Sequence, residues 1–194
     1  MTNTSNKVKT MVIAALLCTI GIIIPMYSPV KILIEPASFT LASHVPIFIA
    51  MFISPPVALA VALLTAFGFL FAAFPIIVVF RAMTHIVFAT VGSFILKKNG
   101  NVLSSFGGTA LFSTLMAVIH AICEVLVVTY FYWGNSMTSA NYDKGYLVAV
   151  LGLVGVGTLI HSTIDFTIAY FIWKPIQNIV NVPVSVRLKR AKLS

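Results

Sequence analysis

PIIVVFRAMTHIVFATVGSFILKK, residues 75–98, is the stretch on which the fold turns. From 75 to 96 the only ionisable side chains are Arg81 and His85, and two lysines, Lys97 and Lys98, close the run. That run is long enough to cross a hydrocarbon core about 30 Å thick, which takes ~20 apolar residues as a helix. Arg81 and His85 are spaced i, i+4, so they share one helix face. Two other apolar runs repeat the spacing, with His120 and Glu124 in one and His161 and Asp165 in the other. Ionisable groups at bilayer depth are costly to place and mark functional sites.

The rest of the chain supports a membrane setting. Its 194 residues are 60% hydrophobic and only 8% charged, with mean hydropathy +1.07. A soluble domain carries about 25% charged residues. The sequence therefore predicts an all-α membrane protein, a single integral domain over 1–194, with six transmembrane helices at roughly 10–25, 37–54, 56–74, 75–96, 108–133 and 146–173. The second run is short and begins with small polar residues, which predicts a tilted, irregular or partly re-entrant span. Pro55-Pro56 and Pro75 sit where helices start, a position that tolerates the missing N–H.

Basic residues set the expected orientation. Lys7 and Lys9 precede the first run, Lys97 and Lys98 follow the fourth, and Lys174, Arg187, Lys189, Arg190 and Lys192 follow the sixth. With six spans these segments share a side, and the positive-inside rule makes it cytoplasmic, with both termini inside. The opposite loops carry Lys31, Glu35, Asp143 and Lys144, which cancel. The net charge of +8 thus reflects topology. No basic patch with interleaved aromatics points to nucleic acid, while the basic tail suits anionic lipid. The first run leads into Pro25-Met26-Tyr27-Ser28-Pro29 rather than a small-residue cleavage site, so it reads as a span and not a removed signal peptide.

Chemistry-bearing motifs are few. Cys18 and Cys123 lie within spans without metal-ligand spacing and read as small packing residues. No phosphate loop, zinc signature or nucleophile elbow is present, so the chain reads as no enzyme and as holding no cofactor. Active transport would draw its energy from another subunit or from an ion gradient.

The buried polar groups are the candidate site. Arg81 can fork onto a carboxylate of a ligand, or onto Glu124, whose depth is similar. His85 and His120 each lie one turn deeper than their charged partners and could bind a ligand or orient a neighbour. His44 falls in a polar stretch before Pro46, where a kink could free backbone carbonyls. Counting along the sixth run puts His161 and Asp165 in the cytoplasmic half, outside the site, as a structural pair or a contact with another membrane subunit. The four histidines read as lying at divergent depths, with no two at ligand spacing on one helix, so no metal site is expected. Two outer loops flank the site. Tyr27–Phe39, with its Lys31-Ile-Leu-Ile-Glu35 alternation, predicts a strand or extended lid. Trp133–Tyr146 carries Tyr130 and Trp133 at its edge and Asn135 within, which suits either an interfacial aromatic belt or ligand walls. In the first span, Ala14-x-x-x-Cys18 and Ala15-x-x-x-Thr19 present small residues to a neighbouring helix.

Taken with the stretch Glu35-Pro-Ala-Ser-Phe-Thr-Leu-Ala-Ser-His-Val-Pro46, this layout resembles the substrate-binding S components of energy-coupling factor (ECF) vitamin transporters. The resemblance covers essentially the whole chain. It implies an S-component-like bundle with a long first outer loop, capture of a vitamin on the outer side, and docking onto one transmembrane coupling subunit with two ABC-type ATPase subunits that hydrolyse ATP. The family's docking face maps to Ala14 and Cys18, with Cys in place of the second Ala. Arg81 favours a carboxylate vitamin. Nicotinate would stack on Trp133 or Tyr130 with its carboxylate on Arg81, so the niacin type is the first expectation. Pantothenate, suited to Glu124, His85 and Asn135, is the alternative, and biotin a lesser one. A proton-coupled secondary transporter of a small organic acid is the rival class, although the two halves show no matching motif. A bacterial plasma membrane is the expected location.

Overall fold

A computed structural model describes residues 3–188; Lys189, Arg190 and Lys192 of the basic tail lie outside the described residues. The elements in chain order are α1 (Asn3–Tyr27), the strands β1 (Lys31–Ile34) and β2 (Ala37–Thr40), α2 (Val45–Ile53), α3 (Pro55–Phe71) and α4 (Ile76–Lys98). A 3₁₀ turn (Gly100–Ser104), α5 (Phe106–Trp133), the short α6 (Ser139–Asp143), a π-helical stretch (Leu147–Val156) and α7 (Gly157–Ile176) complete the chain. Among the described residues, four helical segments are long and apolar enough to cross a membrane: 4–27, 76–98, 106–133 and 147–176. The all-α membrane class is therefore borne out, with a small hairpin added.

The second expected span divides in two. Residues 37–40 form β2, pairing antiparallel with β1 so that Lys31 faces Thr40 and Ile34 faces Ala37. Only 45–53 are helical. The predicted extended segment at Lys31–Glu35 is thus a strand, and its partner comes from what read as the start of a span. Pro46 makes no kink, because it sits in the first turn of α2 and its missing N–H has no intrahelical role there.

Every residue of α2 is buried. It packs against α1, α3, α4 and α7, and its Phe48 and Phe52 meet Phe88, Phe166 and Trp173 in an aromatic core. The chain after α7 turns back onto this core. Ser185 and Val186 donate backbone hydrogen bonds to Ile53 and Phe52 at 2.9 and 3.1 Å, and Gln177 clamps both the N–H and the carbonyl of Leu188. Gly100 packs against the Ser185 backbone, and Lys9 shares a groove with Ile176 and Val182. The start of α1, the end of α4 and the end of α7 therefore meet at one end of the bundle. The hairpin lies at the other end, and so does the polar cluster.

Candidate functional site

The cluster is assembled from both sides of the bundle. On α4, Arg81 and His85 face inward, with 6% exposure each. On α5, His120 and Glu124 face them, at 0% and 3%. Arg81 Nη2 donates to Glu124 Oε2 at 2.8 Å, and Nη1 reaches the Pro36 carbonyl of the hairpin at 3.3 Å. Thr158 Oγ1 donates to the same Glu124 oxygen at 2.6 Å. The sequence left open whether Arg81 serves a ligand or Glu124. In this structure it holds Glu124 through one nitrogen, while its buried Nε has no hydrogen-bond partner.

Asp165 forms a second centre. Its Oδ1 accepts from the Ala42 N–H at 2.8 Å, and its Oδ2 from the His44 N–H at 2.9 Å. The His44 ring Nδ1 adds a 3.0 Å contact to Oδ2. Ala42 has φ +68°, a left-handed conformation uncommon for alanine. The carboxylate ties down the turn containing it and fixes the start of α2, on which no side chain caps. Asp165 thus ties the turn before α2 to α7, and its partners lie on that turn as well as on its own helix.

His161 departs from the expectation. Instead of lying in the opposite half of the bundle, it lines the same cavity as Arg81 and Glu124, bonds Ser43 Oγ at 3.1 Å and stands 4.9 Å from the His44 ring. Even rise already points there: His161 is about as far from Tyr146, at the outer end of its run, as His120 is from Trp133, and the i→i+5 turns of residues 147–156 bring it slightly nearer that end. The expectation of divergent histidine depths fails for the same reason and for a second one. His44 follows a hairpin instead of lying inside a span, so it too reaches the cluster.

The cavity has a volume of about 60 Å³ and is lined by Arg81, His85, His120, Glu124, His44 and His161, together with Ser43, Thr158 and Phe39. Phe39 stands 5.3 Å from the His161 ring and rests on Gly157, where any side chain would collide with its ring. Above it, an open cleft of about 600 Å³ runs between the hairpin and the α5–α6 loop. Lys31, Ser38, Phe74 and Val78 border both spaces, so the cleft forms a vestibule to the cavity. Lys144 reaches across it to the Glu35 carbonyl at 2.7 Å.

Of the residues expected in the site, the structure brings together Arg81, His85, His120, Glu124 and His44. It does not bring in Tyr130, Trp133 or Asn135. Trp133 follows Glu124 by nine residues, which is two and a half helical turns and the opposite face. It is 70% exposed and stacks on Tyr146. Tyr130 is 78% exposed, and Asn135 lies in the exposed turn after α5 with φ +50°. Sequence reasoning missed Ser43, Thr158 and Phe39. Thr158 follows Tyr146 in an apolar run and carries no signal, whereas Ser43 and Phe39 lie within the very segment that marked the family resemblance. The small-residue face also shifts. Ala14 and Cys18 are half-buried, with Cys18 Sγ 4.0 Å from Thr65 Oγ1 of α3, while Ala15 and Thr19 are exposed.

Fold and site together define a multi-pass membrane protein with a small polar cavity at one end, bordered by an open cleft. No family model matches the chain, and no solved structure matches it. It is 42% identical over 170 residues to the niacin transporter NiaX of Lactococcus lactis subsp. cremoris, covering 87% of this chain and 75% of that protein. The chain belongs to the NiaX niacin-transporter family, in agreement with the niacin-type resemblance drawn from its sequence.

Proposed function

We propose that this chain is the niacin-binding S component of an ECF transporter, capturing the vitamin at the hairpin end of the bundle. The observation that carries the reading is the 42% identity to a niacin transporter across most of both chains, joined to a cavity whose groups suit a small flat acid. Arg81 retains an unpartnered Nε for a carboxylate. The imidazoles and Phe39 offer ring faces to a pyridine, and Ser43 offers a hydroxyl to its nitrogen. The cavity is smaller than the ~300 Å³ of ordinary ligand pockets, so a vitamin must draw on the vestibule as well, with the hairpin as its lid.

In this reading the chain crosses the plasma membrane six times, β2, the turn after it and α2 together supplying the second crossing and α3 the third, with both termini cytoplasmic. The basic residues of the end opposite the hairpin support that orientation. The partners are a transmembrane coupling subunit and two ATP-hydrolysing subunits. The exposed Ala15-x-x-x-Thr19 face of α1 suits their approach better than the half-buried Ala14 and Cys18.

Calorimetric titration of purified protein tests the reading. Nicotinate should bind one to one without ATP or an ion gradient, and pantothenate and biotin should not. Absence of nicotinate binding would end it. Uptake in cells lacking the coupling module should cease; persistence of uptake that tracks the proton gradient would favour a secondary transporter instead.

A further inference from the structure

The three imidazoles of His44, His85 and His120 form a nearly equilateral triangle, with ring centroids 4.7, 4.7 and 4.8 Å apart. One nitrogen from each lies within 4.8 Å of the other two. His85 Nε2 and both nitrogens of His120 are buried without a hydrogen-bond partner. Buried polar atoms are nearly always satisfied; His85 Nε2 and His120 Nε2 stand 3.7 and 3.4 Å from one Glu124 oxygen without a hydrogen bond to it, and with His120 Nδ1 they call for a partner. We propose that His44, His85 and His120 are a binding site for a divalent transition-metal ion of the zinc class, with a fourth position open to the cavity.

The surroundings fit such an ion. The contact of His44 Nδ1 with Asp165 leaves Nε2 for a metal, the carboxylate–histidine arrangement that fixes ring orientation in metal sites. His120 Nε2 leans on Glu124 Oε1 at 3.4 Å, which leaves Nδ1 for coordination. Two buried carboxylates, Glu124 and Asp165, stand against one buried guanidinium, Arg81, so the buried charges sum to negative when the imidazoles are neutral, and the further cation of the lining, Lys31, is exposed. Tetrahedral zinc with Zn–N bonds of ~2.0–2.1 Å sets ligand nitrogens roughly 3.3 Å apart, so closure calls for side-chain movements of about an ångström. A second grouping, His44, His161 and Asp165, is the weaker choice. Asp165 is committed to two backbone N–H groups and His161 Nε2 to Ser43.

The test uses untagged, chelator-treated full-length protein in detergent, with Co²⁺ alone as the probe and no vitamin added. The wild type should retain about one equivalent after desalting and show the intense visible bands of a four- or five-coordinate nitrogen site. His85→Gln and His120→Gln should each weaken retention by at least tenfold, whereas His161→Gln should retain the ion. No retention by the wild type, the weak spectrum of a six-coordinate aquo ion, or equal retention by the His85 and His120 variants would overturn the proposal. If a variant fails to fold, judged by gel filtration, the wild-type spectrum still decides. Because niacin is absent, failure here leaves the vitamin reading standing, and failure of the vitamin titration leaves this result untouched.

Discussion

Glu124 and Asp165 are two buried carboxylates on opposite sides of one cavity, and they are held in different ways. Asp165 accepts from two backbone N–H groups of the turn before α2. Glu124 accepts from the side chains of Arg81 and Thr158, with the His120 and His85 rings beside its other oxygen. Backbone donors have no other position to take, so Asp165 is part of the frame. Side-chain donors can rotate, so the Arg81–Glu124–Thr158 group can rearrange around a ligand while the frame stays put.

The largest expected effect comes from the frame. Asp165→Ala strips the acceptors from two N–H groups, each worth about 1–3 kcal/mol when left unsatisfied. It should cost on the order of 3 kcal/mol in a detergent melt and abolish vitamin binding along with it. A wild-type melting curve would erase the contrast between the two carboxylates. Next comes Arg81→Lys, which keeps the buried charge beside Glu124 but loses the guanidinium fork. Nicotinate affinity should fall roughly 10- to 100-fold, from about 1.5–3 kcal/mol for a charged hydrogen bond, with little change in melting. A variant that melts early but binds normally would make Arg81 a frame residue too. Thr158→Val removes one donor at nearly constant volume. It should lower stability by about 1.5 kcal/mol and leave Arg81–Glu124 intact, as a difference melt would show. The smallest effect is expected at Trp133→Ala, whose ring faces away from the cavity. Nicotinate affinity should stay within about twofold, and a larger loss in the titration would bring the α5–α6 loop into the site.

Much of this arrangement was legible in the sequence. The i, i+4 spacing of Arg81–His85 and His120–Glu124 put each pair on one face, and depth counting on α4 and α5 brought the faces together, because both are regular helices. At His161 the expected half of the bundle is wrong although even rise from Tyr146 puts this ring level with His120, and the π turns of 147–156 only add to that agreement. Counting failed at His44, because a hairpin replaced the start of the expected span. At Trp133 and Tyr130 chemical suitability outweighed helical phase, and phase decided. The contact between Asp165 and the turn at 42–44 had no local signal at all, since it joins residues more than a hundred apart in the chain.

That long separation has a consequence for how the protein is made. Chains emerge from synthesis N-terminus first. The turn at 42–44 must therefore wait, its backbone donors without their carboxylate, until α7 has been synthesised. Thr158 and His161 arrive at the same late moment. A nascent chain stopped before residue 157 already carries Arg81, Glu124 and three of the four histidines but cannot close the cavity around them. Of all the segments, the last one threaded into the bilayer turns a bundle of helices into a receptor.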